Sequence, residues 1–550
     1  MSYRNQAEAW IAEDPDPETK AELTALLDDE KALEERFSSR LQFGTAGLRG
    51  ELGAGSARMN RVVVAQAAAG FAAWLLTRGG TQSVVVGYDG RKNSAIFAKD
   101  TAELMAAAGV DVILLPRALP TPVLAFAVRH LRVSAGVMVT ASHNPGTDNG
   151  YKVYLGDLDA GSQIVAPVDA QIEASIVAVG PVNELPRSDA YTTADEKVLG
   201  AYVAQTAALR KTTAPAPHFV YTAMHGVGWE TAKAVFAAAK LGEPDVVAKQ
   251  IDPNPDFPTV AFPNPEEDGA LDLALELAEK VSADLVVAND PDADRLAIAA
   301  PFDGVWRRLS GNEVGSLLGW RAAERLENED EMGTGHANRR TLAASVVSSP
   351  ALKEIARKYN LDYVETLTGF KWISRVGGLA YGYEEALGYL VDPAKVHDKD
   401  GISAAVDFLS LYAELAEQGK TLADHQAAFD EKFGAYASAQ ISIRVNDLSI
   451  ITTTMARLRA HSPEKLGSVA VSSVDDFSGG FGAFGPSDIL RLWIGSTARV
   501  IIRPSGTEPK LKAYIDAWSR SGSAAERRAA ADAQVAELDA ALRVLLRAGA

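Results

Sequence analysis

Short apolar runs alternate with helical patterns, and the alternation comes round three times before the pattern changes. In the first round Val84–Val86, Val112–Leu115 and Ala135–Val139 have strand length, and one helical pattern between them is the alanine-rich run around Leu104 to Ala108. The second round holds Phe219–Thr222, Val246–Ala248 and Leu285–Ala288; the third, after the polar LSGNE at 309–313, holds Ala344–Val347, Tyr363–Glu365 and Leu379–Tyr381. Such runs, joined by helices, are the mark of βαβ units with a mostly parallel sheet. The stretch 268–281, DGALDLALELAEKV, has leucines at steps of two, yet its helix-favouring content and the spacing of Ala270, Ala274 and Ala278 predict a helix. Val62–Leu76 is apolar but interrupted by Gln66, and it falls short of the roughly 20 residues that cross a bilayer. It reads as a buried helix, in a chain expected to be soluble.

The last part of the chain differs. Isoleucines alternate with polar residues in ISIRV (441–445), and 499–517 reads as two strands joined by a tight polar loop. Ser523 and Glu526 form a capping-box pattern that opens a final helix, with Val535, Leu538, Leu542 and Leu545 on one face. A smaller mixed α+β domain is therefore expected after about residue 436. At 550 residues the chain is too long for one core, so three to five domains of roughly 100 to 200 residues are expected.

Charge and cysteine narrow the function. With 54 Lys+Arg against 72 Asp+Glu the net charge is −18, which disfavours a nucleic-acid partner while allowing a small basic cleft. The absence of cysteine removes disulfides, thiolate metal sites and a cysteine nucleophile, and is compatible with a cytoplasmic protein. The first 22 residues are acidic and polar, so they are not expected to be a targeting segment.

Four loops could carry chemistry. In TASHNP (140–145), Asn144, Pro145 and Gly146 can hold a non-repetitive backbone and expose Ser142 at a strand end; His143 and Lys152 could then move protons or neutralise a phosphate. A capped turn is the alternative. NDPDADR (289–295) sets Asp290, Asp292 and Asp294 at steps of two behind a strand, three hard oxygen donors for a small cation such as Mg²⁺, with Arg295 beside them; a plain acidic turn is the alternative. RPSGTEPK (503–510) offers Arg503, Ser505, Gly506, Thr507 and Lys510 as an anion nest, or only a hairpin turn. In YGYEEALGY (381–389), followed by HDKDG (397–401), Glu384 and Glu385 could accept hydrogen bonds from sugar hydroxyls, or simply start a solvated helix.

Together FGTAGLRG, TASHNPGTDNGYKVY, AMHGVG, DPDADR, TLTGFKW, YEEALG and RPSGTEPK resemble, in order and across nearly the whole chain, the motifs of the α-D-phosphohexomutases. The likeness is greatest to the long phosphoglucomutase and phosphomannomutase branch that includes phosphopentomutase-like members. It implies three related α/β domains with mostly parallel or mixed sheets and a smaller C-terminal α+β domain, arranged around a deep cleft. The boundaries expected are 1–199 (helical segment and phosphoserine-bearing domain), 200–309 (metal-binding), 310–436 (sugar-binding) and 437–550 (phosphate-binding).

By the resemblance Ser142 carries the transferable phosphoryl group, and Asp290, Asp292 and Asp294, with a phosphoserine oxygen, hold Mg²⁺. Arg49, His143, Lys152, Arg295 and Lys399 stand near the transferring group, Glu384 contacts sugar hydroxyls, and Thr368, Gly369 and Lys371 help orient the sugar. Arg503, Ser505, Gly506 and Thr507 clamp the non-reacting phosphate. The implied reaction is two phosphoryl transfers through a sugar bisphosphate that turns around between them, with glucose 1,6-bisphosphate as activator and intermediate. Phosphoglucomutase activity is the leading expectation, with phosphomannomutase or phosphopentomutase activity as the alternative. The common superfamily pattern Gly-Glu-x-Ser-Gly is here Tyr383-Glu384-Glu385-Ala386-Leu387, so a serine hydroxyl that could bind the sugar is missing. A hydrolase has no use for a two-ended clamp, and a non-catalytic sensor could dispense with Ser142 and the aspartates. Small sugar phosphates are the expected partners, with no nucleic acid, no membrane and no stable protein partner.

Overall fold

The structure is a computed structural model that describes residues 2–45, 47–331, 340–445, 447–505 and 510–547. It divides into two compact units, Met1–Leu309 with Ala386–Glu414, and Ser310–Glu385 with Leu415–Ala550.

The first unit holds two sheets. One is built from β1 (Leu48–Glu51), β2 (Ser83–Tyr88), β3 (Asp111–Leu114), β4 (Ala135–Val139), β5 (Asp148–Leu155), β6 (Ser162–Gln163) and β7 (Thr192–Thr193), in the order β1-β5-β4-β2-β3-β7, with β6 on β5. β4, β2, β3 and β7 are parallel, β5 returns antiparallel to β4, and β1 pairs antiparallel with β5 and so runs in the direction of β4. β1 and β5 escaped the sequence reading because the glycines and polar residues of GLRGE and DNGYKVYL break up the apolar pattern. They matter, because the register sets Met138 opposite Lys152 and Arg49 opposite Gly150, drawing both basic residues toward the loop after β4. The Arg61–Leu76 helix is buried over most of its length, as its apolar sequence predicts, and shares a core with Val84, Val86, Val137 and Val139.

The second sheet has the order β12-β11-β10-β8-β9, from β8 (Phe219–Thr222), β9 (Asp245–Val246), β10 (Leu285–Asn289), β11 (Leu296–Phe302) and β12 (Val305–Arg308). β9, β8 and β10 are parallel and β11 turns back antiparallel, so residues 290–295 form a hairpin loop at the carboxyl end of β10. Two expected elements shift. The helix expected from 268 begins at Asp272, because 267–272 is spent on successive turns (Ala270 to Glu267, Asp272 to Gly269). The strand expected over 246–248 ends at Val246, where Gln250 N–H bonding to Val247 C=O closes a turn.

In the second unit Asp362–Thr366, Thr341–Ser345 and Leu379–Glu384 form parallel pairs, with Thr341–Ser345 central. The middle strand, expected over 344–347, lies earlier because Ser348 N–H bonds to Ser345 C=O and turns the chain. The rest is an antiparallel sheet ordered Ala435–Arg444, Lys510–Ser519, Ala498–Pro504, Leu490–Ile494, Val469–Asp476 and Lys465–Leu466. The helix Ala524–Arg547, capped through Ser523 and Glu526, buries Val535, Leu538 and Leu542 with Val500, Ile502 and Ile515 of the sheet. No helix among the described residues is long and apolar enough to cross a membrane.

Candidate active site

Ser142 follows β4 and is held at φ 55°, in the left-handed region that few side-chain-bearing residues adopt. The cause lies in the loop and in one arginine. Ser142 N–H donates to Thr140 Oγ1 at 2.9 Å, and Asn144 N–H closes a turn on Ala141 C=O. The buried Arg91 guanidinium then donates to four loop carbonyls, those of Ser142 (2.7 Å), Asn144 (2.6 Å), Pro145 (2.7 Å) and Asp148 (3.1 Å). Its planar fork of donors satisfies carbonyls that would otherwise be orphaned under the loop. Arg49 reaches the same loop, its Nη1 3.4 Å from Asn144 Oδ1.

The aspartate loop meets this serine. Ser142 Oγ donates to Asp290 Oδ2 at 3.3 Å and lies 3.2 Å from His143 Nδ1. Asp290, Asp292 and Asp294 are fully buried, with ligand oxygens all within 4.8 Å of one another. The loop is shaped by Asp290 Oδ1, which accepts from Arg295 N–H at 3.0 Å, and by Asn289, which donates to Arg295 C=O at 2.6 Å. Two glycines let other segments press on it. A Cβ on Gly226, in the AMHGVG motif, would sit 2.2 Å from Pro291 Cα, and one on Gly401 would sit 2.2 Å from Arg295 C=O.

Cations balance the acids. Lys152 Nζ donates to Asp292 Oδ2 (2.7 Å) and Asp294 Oδ2 (2.9 Å), Lys399 Nζ lies 2.8 Å from Asp294 Oδ2, and Arg295 Nε lies 3.7 Å from Asp290 Oδ2. Lys399 is itself oriented by Asp398, whose Oδ2 accepts from Tyr154 O–H at 2.9 Å and Gln163 at 2.6 Å. Burial and the neighbouring Asp292 and Asp294 carboxylates push the Asp290 carboxyl well above the usual range. For Asp294 burial acts in the same upward sense, but Lys152, Lys399 and Arg295 overcome it and hold the carboxyl well below. Burial opposes the charge on Lys399, yet the carboxylates of Asp294 and Asp398 outweigh it and raise the ammonium above its usual range.

Asp292 and Asp294 each spend one oxygen on these cations and leave the other, Oδ1, buried without a hydrogen-bond partner among the described residues. Buried carboxylate oxygens are rarely left so. The donor set is hard oxygen throughout, and a phosphoryl group on Ser142 would set further negative oxygens beside the three acids. The residues present fit Mg²⁺.

The remaining expected residues lie in the second unit. Glu384 ends the strand Leu379–Glu384 rather than starting a helix, and its Oε1 accepts from Gly369 N–H at 2.5 Å, which joins it to the Thr368–Lys371 loop. Arg503 ends the strand Ala498–Pro504, and Ser505 N–H donates to Lys510 C=O at 2.7 Å; Gly506 and Thr507 lie outside the described residues. Sequence reasoning missed Arg91 and also Thr121, whose hydroxyl donates to Asp292 Oδ2 at 2.6 Å. The signal for Arg91 was its place in YDGRKNS at the carboxyl end of β2, beside the two loops already singled out. Thr121, in an apolar helix start, carried none.

A serine set among buried acids and cations at the carboxyl ends of parallel strands is an arrangement suited to phosphoryl transfer, and the protein is an intramolecular phosphotransferase of the phosphohexomutase type. Residues 40–180, 200–301 and 310–433 match the alpha/beta/alpha domains I, II and III of phosphoglucomutase/phosphomannomutase, and the chain belongs to that family. It is 52% identical over 492 residues to a Haemophilus influenzae protein named "Probable phosphomannomutase", covering 89% of this chain and 98% of the relative. It is 34% identical to the Mus musculus "Phosphopentomutase", over 94% of this chain and 90% of the relative. The solved structure of a phosphoglucomutase/phosphomannomutase family protein from Burkholderia thailandensis shares the fold, with a TM-score of 0.69 at 21% identity over 93% of this chain and 98% of that one.

Proposed function

We propose that the protein interconverts mannose 1-phosphate and mannose 6-phosphate through a phosphorylated Ser142 and a sugar bisphosphate. The likeness to the Haemophilus influenzae relative, across 98% of that protein's length, carries the choice of sugar, and it supports mannose over the glucose expected from sequence. Pentose phosphate is the second reading, supported by the relatives named phosphopentomutase or phosphoribomutase and by Ala386, where no serine hydroxyl is available to a hexose.

In the first half-reaction an oxygen–phosphorus bond forms at the free sugar hydroxyl as the bond to Ser142 Oγ breaks, and the hydroxyl gives up its proton; in the second, after the bisphosphate has turned around, the phosphoryl group at its other end returns to Ser142 Oγ and the sugar oxygen it leaves takes up a proton. His143, 3.2 Å from Ser142 Oγ, is placed to exchange a proton there, while Lys152 and Lys399, bound to the aspartates, serve as fixed charges with Arg49 and Arg295. Asp290, Asp292, Asp294 and an oxygen of phosphorylated Ser142 would hold Mg²⁺, which supplies positive charge to the transferring group. Glu384 with Thr368, Gly369 and Lys371 reads the sugar, and Arg503, Ser505, Gly506 and Thr507 hold the phosphate that does not react. The same reading divides the chain at 199, 309 and 436 into phosphoserine, metal, sugar and phosphate domains.

The test is turnover of mannose 1-phosphate, ribose 1-phosphate and glucose 1-phosphate with Mg²⁺ and a trace of glucose 1,6-bisphosphate to charge the serine. Mannose is expected to give the highest kcat/KM, and Ser142→Ala no isomer. A ribose maximum selects the second reading, and free phosphate without isomer rejects the mutase reading.

A further inference from the structure

Within the second unit, the segment that reads the sugar and the strand that leads to the phosphate clamp are tied by a polar chain with a buried centre. Its centre is Arg499, one of the largest fully buried side chains, on the strand Ala498–Pro504. Arg499 Nε donates to Asp516 Oδ2 at 2.9 Å, Nη1 to Glu365 Oε1 at 3.2 Å, and Nη2 to the carbonyl of Ser348. Ser348 turns its hydroxyl the other way, to Glu385 Oε2 at 3.2 Å, where Ser345 Oγ donates as well at 3.1 Å. Glu385 N–H returns a bond to Ser348 Oγ at 3.0 Å. Glu385 directly follows Glu384, and Arg503 stands four residues beyond Arg499 on the same strand face, roughly 13 Å along.

A second arm closes the loop of contacts. Asp516 Oδ1 accepts from Ser438 Oγ at 2.6 Å, Ser438 accepts from Asn312 Nδ2 at 3.0 Å, and Asn312 Oδ1 accepts from Tyr383 O–H at 3.2 Å. Tyr383 is the residue before Glu384, so the chain grips the sugar segment on both sides. Arg499, Asp516, Ser345, Ser348 and Tyr383 are buried and the other members half-buried, and such a network resists small displacements, since moving a buried member leaves a polar atom unpaired in a low-dielectric interior.

We propose that Arg499, Ser348 and Glu385 are positioning residues that hold the span between Glu384 and Arg503 at one length, and so set the discrimination between hexose and pentose phosphates. The inference rests on the roles given above to Glu384 and Arg503. A sugar shorter or longer by one carbon must then shift one end out of register with a reader that does not yield. Discrimination between sugars thereby comes from the stiffness of the frame, and the serine hydroxyl absent at Ala386 is not required for it.

The test compares the full-length enzyme with Ser348→Ala, Glu385→Gln and Arg499→Lys, measuring kcat and KM for mannose 1-phosphate and ribose 1-phosphate and the melting temperature of each. The expected result is that the ratio of the two kcat/KM values falls toward one by about 10-fold in Ser348→Ala and Arg499→Lys, mostly through KM for the preferred sugar. Glu385→Gln, which still accepts both serine hydroxyls, retains most of the ratio. If Arg499→Lys fails to fold, Ser348→Ala decides alone, because it deletes one hydroxyl and leaves the buried ion pairs intact. A ratio kept within about twofold in folded Ser348→Ala, whatever its melting temperature, overturns the inference. Failure of the underlying reading shows separately, as a wild-type enzyme that isomerises neither sugar.

Discussion

The two units each hold a cluster of acids, fully buried in the first and partly so in the second, and the clusters are finished differently. In the first, Asp292 and Asp294 each leave one buried oxygen without a hydrogen-bond partner among the described residues. In the second, Glu365 accepts from Arg499 on one oxygen and Arg491 on the other, and Asp516 accepts from Arg499 and Ser438. Burying an ion is tolerable when every lone pair finds a donor, and costs several kcal/mol when one does not. An unfinished cluster marks a place built for something that binds; a finished one marks a strut.

The contrast breaks most visibly at Asp292. Asp292→Asn is expected to lower kcat/KM about 10³-fold while the melting temperature holds or rises, because one of three crowded like charges is removed. Mg²⁺ is expected to raise the melting temperature of the wild type and not that of the variant, as it does for any protein whose ligand binds only the folded state. An equal Mg²⁺ shift in both proteins would place the ion elsewhere.

The same change in the strut should act the other way. Asp516→Asn weakens a buried pair with Arg499 and is expected to cost about 3 kcal/mol in urea unfolding, with kcat for the surviving folded enzyme changed far less than at Asp292. An unchanged urea midpoint would remove the distinction between the clusters.

Arg91→Lys sharpens the picture around Ser142. An ammonium cannot reproduce four hydrogen bonds from a planar fork, so the serine's φ 55° conformation loses its support and kcat is expected to fall about 10²-fold in pre-steady-state transfer from the bisphosphate. The smallest effect is one of pH. His425 stacks on Trp320 with ring centroids 4.4 Å apart, and burial, then the charges of Lys420 and Arg321, lower its pKa to about 4. The unfolded chain takes up that proton near pH 6.5, so this contribution to stability is complete above about 6.5 and is lost as pH falls toward 4. About 1–2 kcal/mol is expected to disappear over that window in wild type, and the slope to flatten in His425→Gln.

The serine and aspartate loops were legible because each is a short local segment directly behind an apolar strand, where chemistry-bearing residues stand next to one another in the chain. Lys399 was legible only through the family resemblance, since over a hundred residues separate it from the aspartate that it pairs with. Glu385 on its own motif read first as a solvated helix start; its actual partners, Ser345 and Ser348, lie on another strand's exit.

The sequence alone therefore determined the class of fold, through the repeated strand–helix alternation, and singled out the serine and aspartate loops of the candidate site, whose residues are close along the chain. Tertiary structure alone decided which acids are left unfinished, that Arg91 and Thr121 support Ser142 and Asp292, and that Arg499 reaches Ser348. Hydrogen-bond satisfaction in a buried site is a property of residues brought together from distant segments, and no local pattern records whether a carboxylate oxygen ends with a donor or without one.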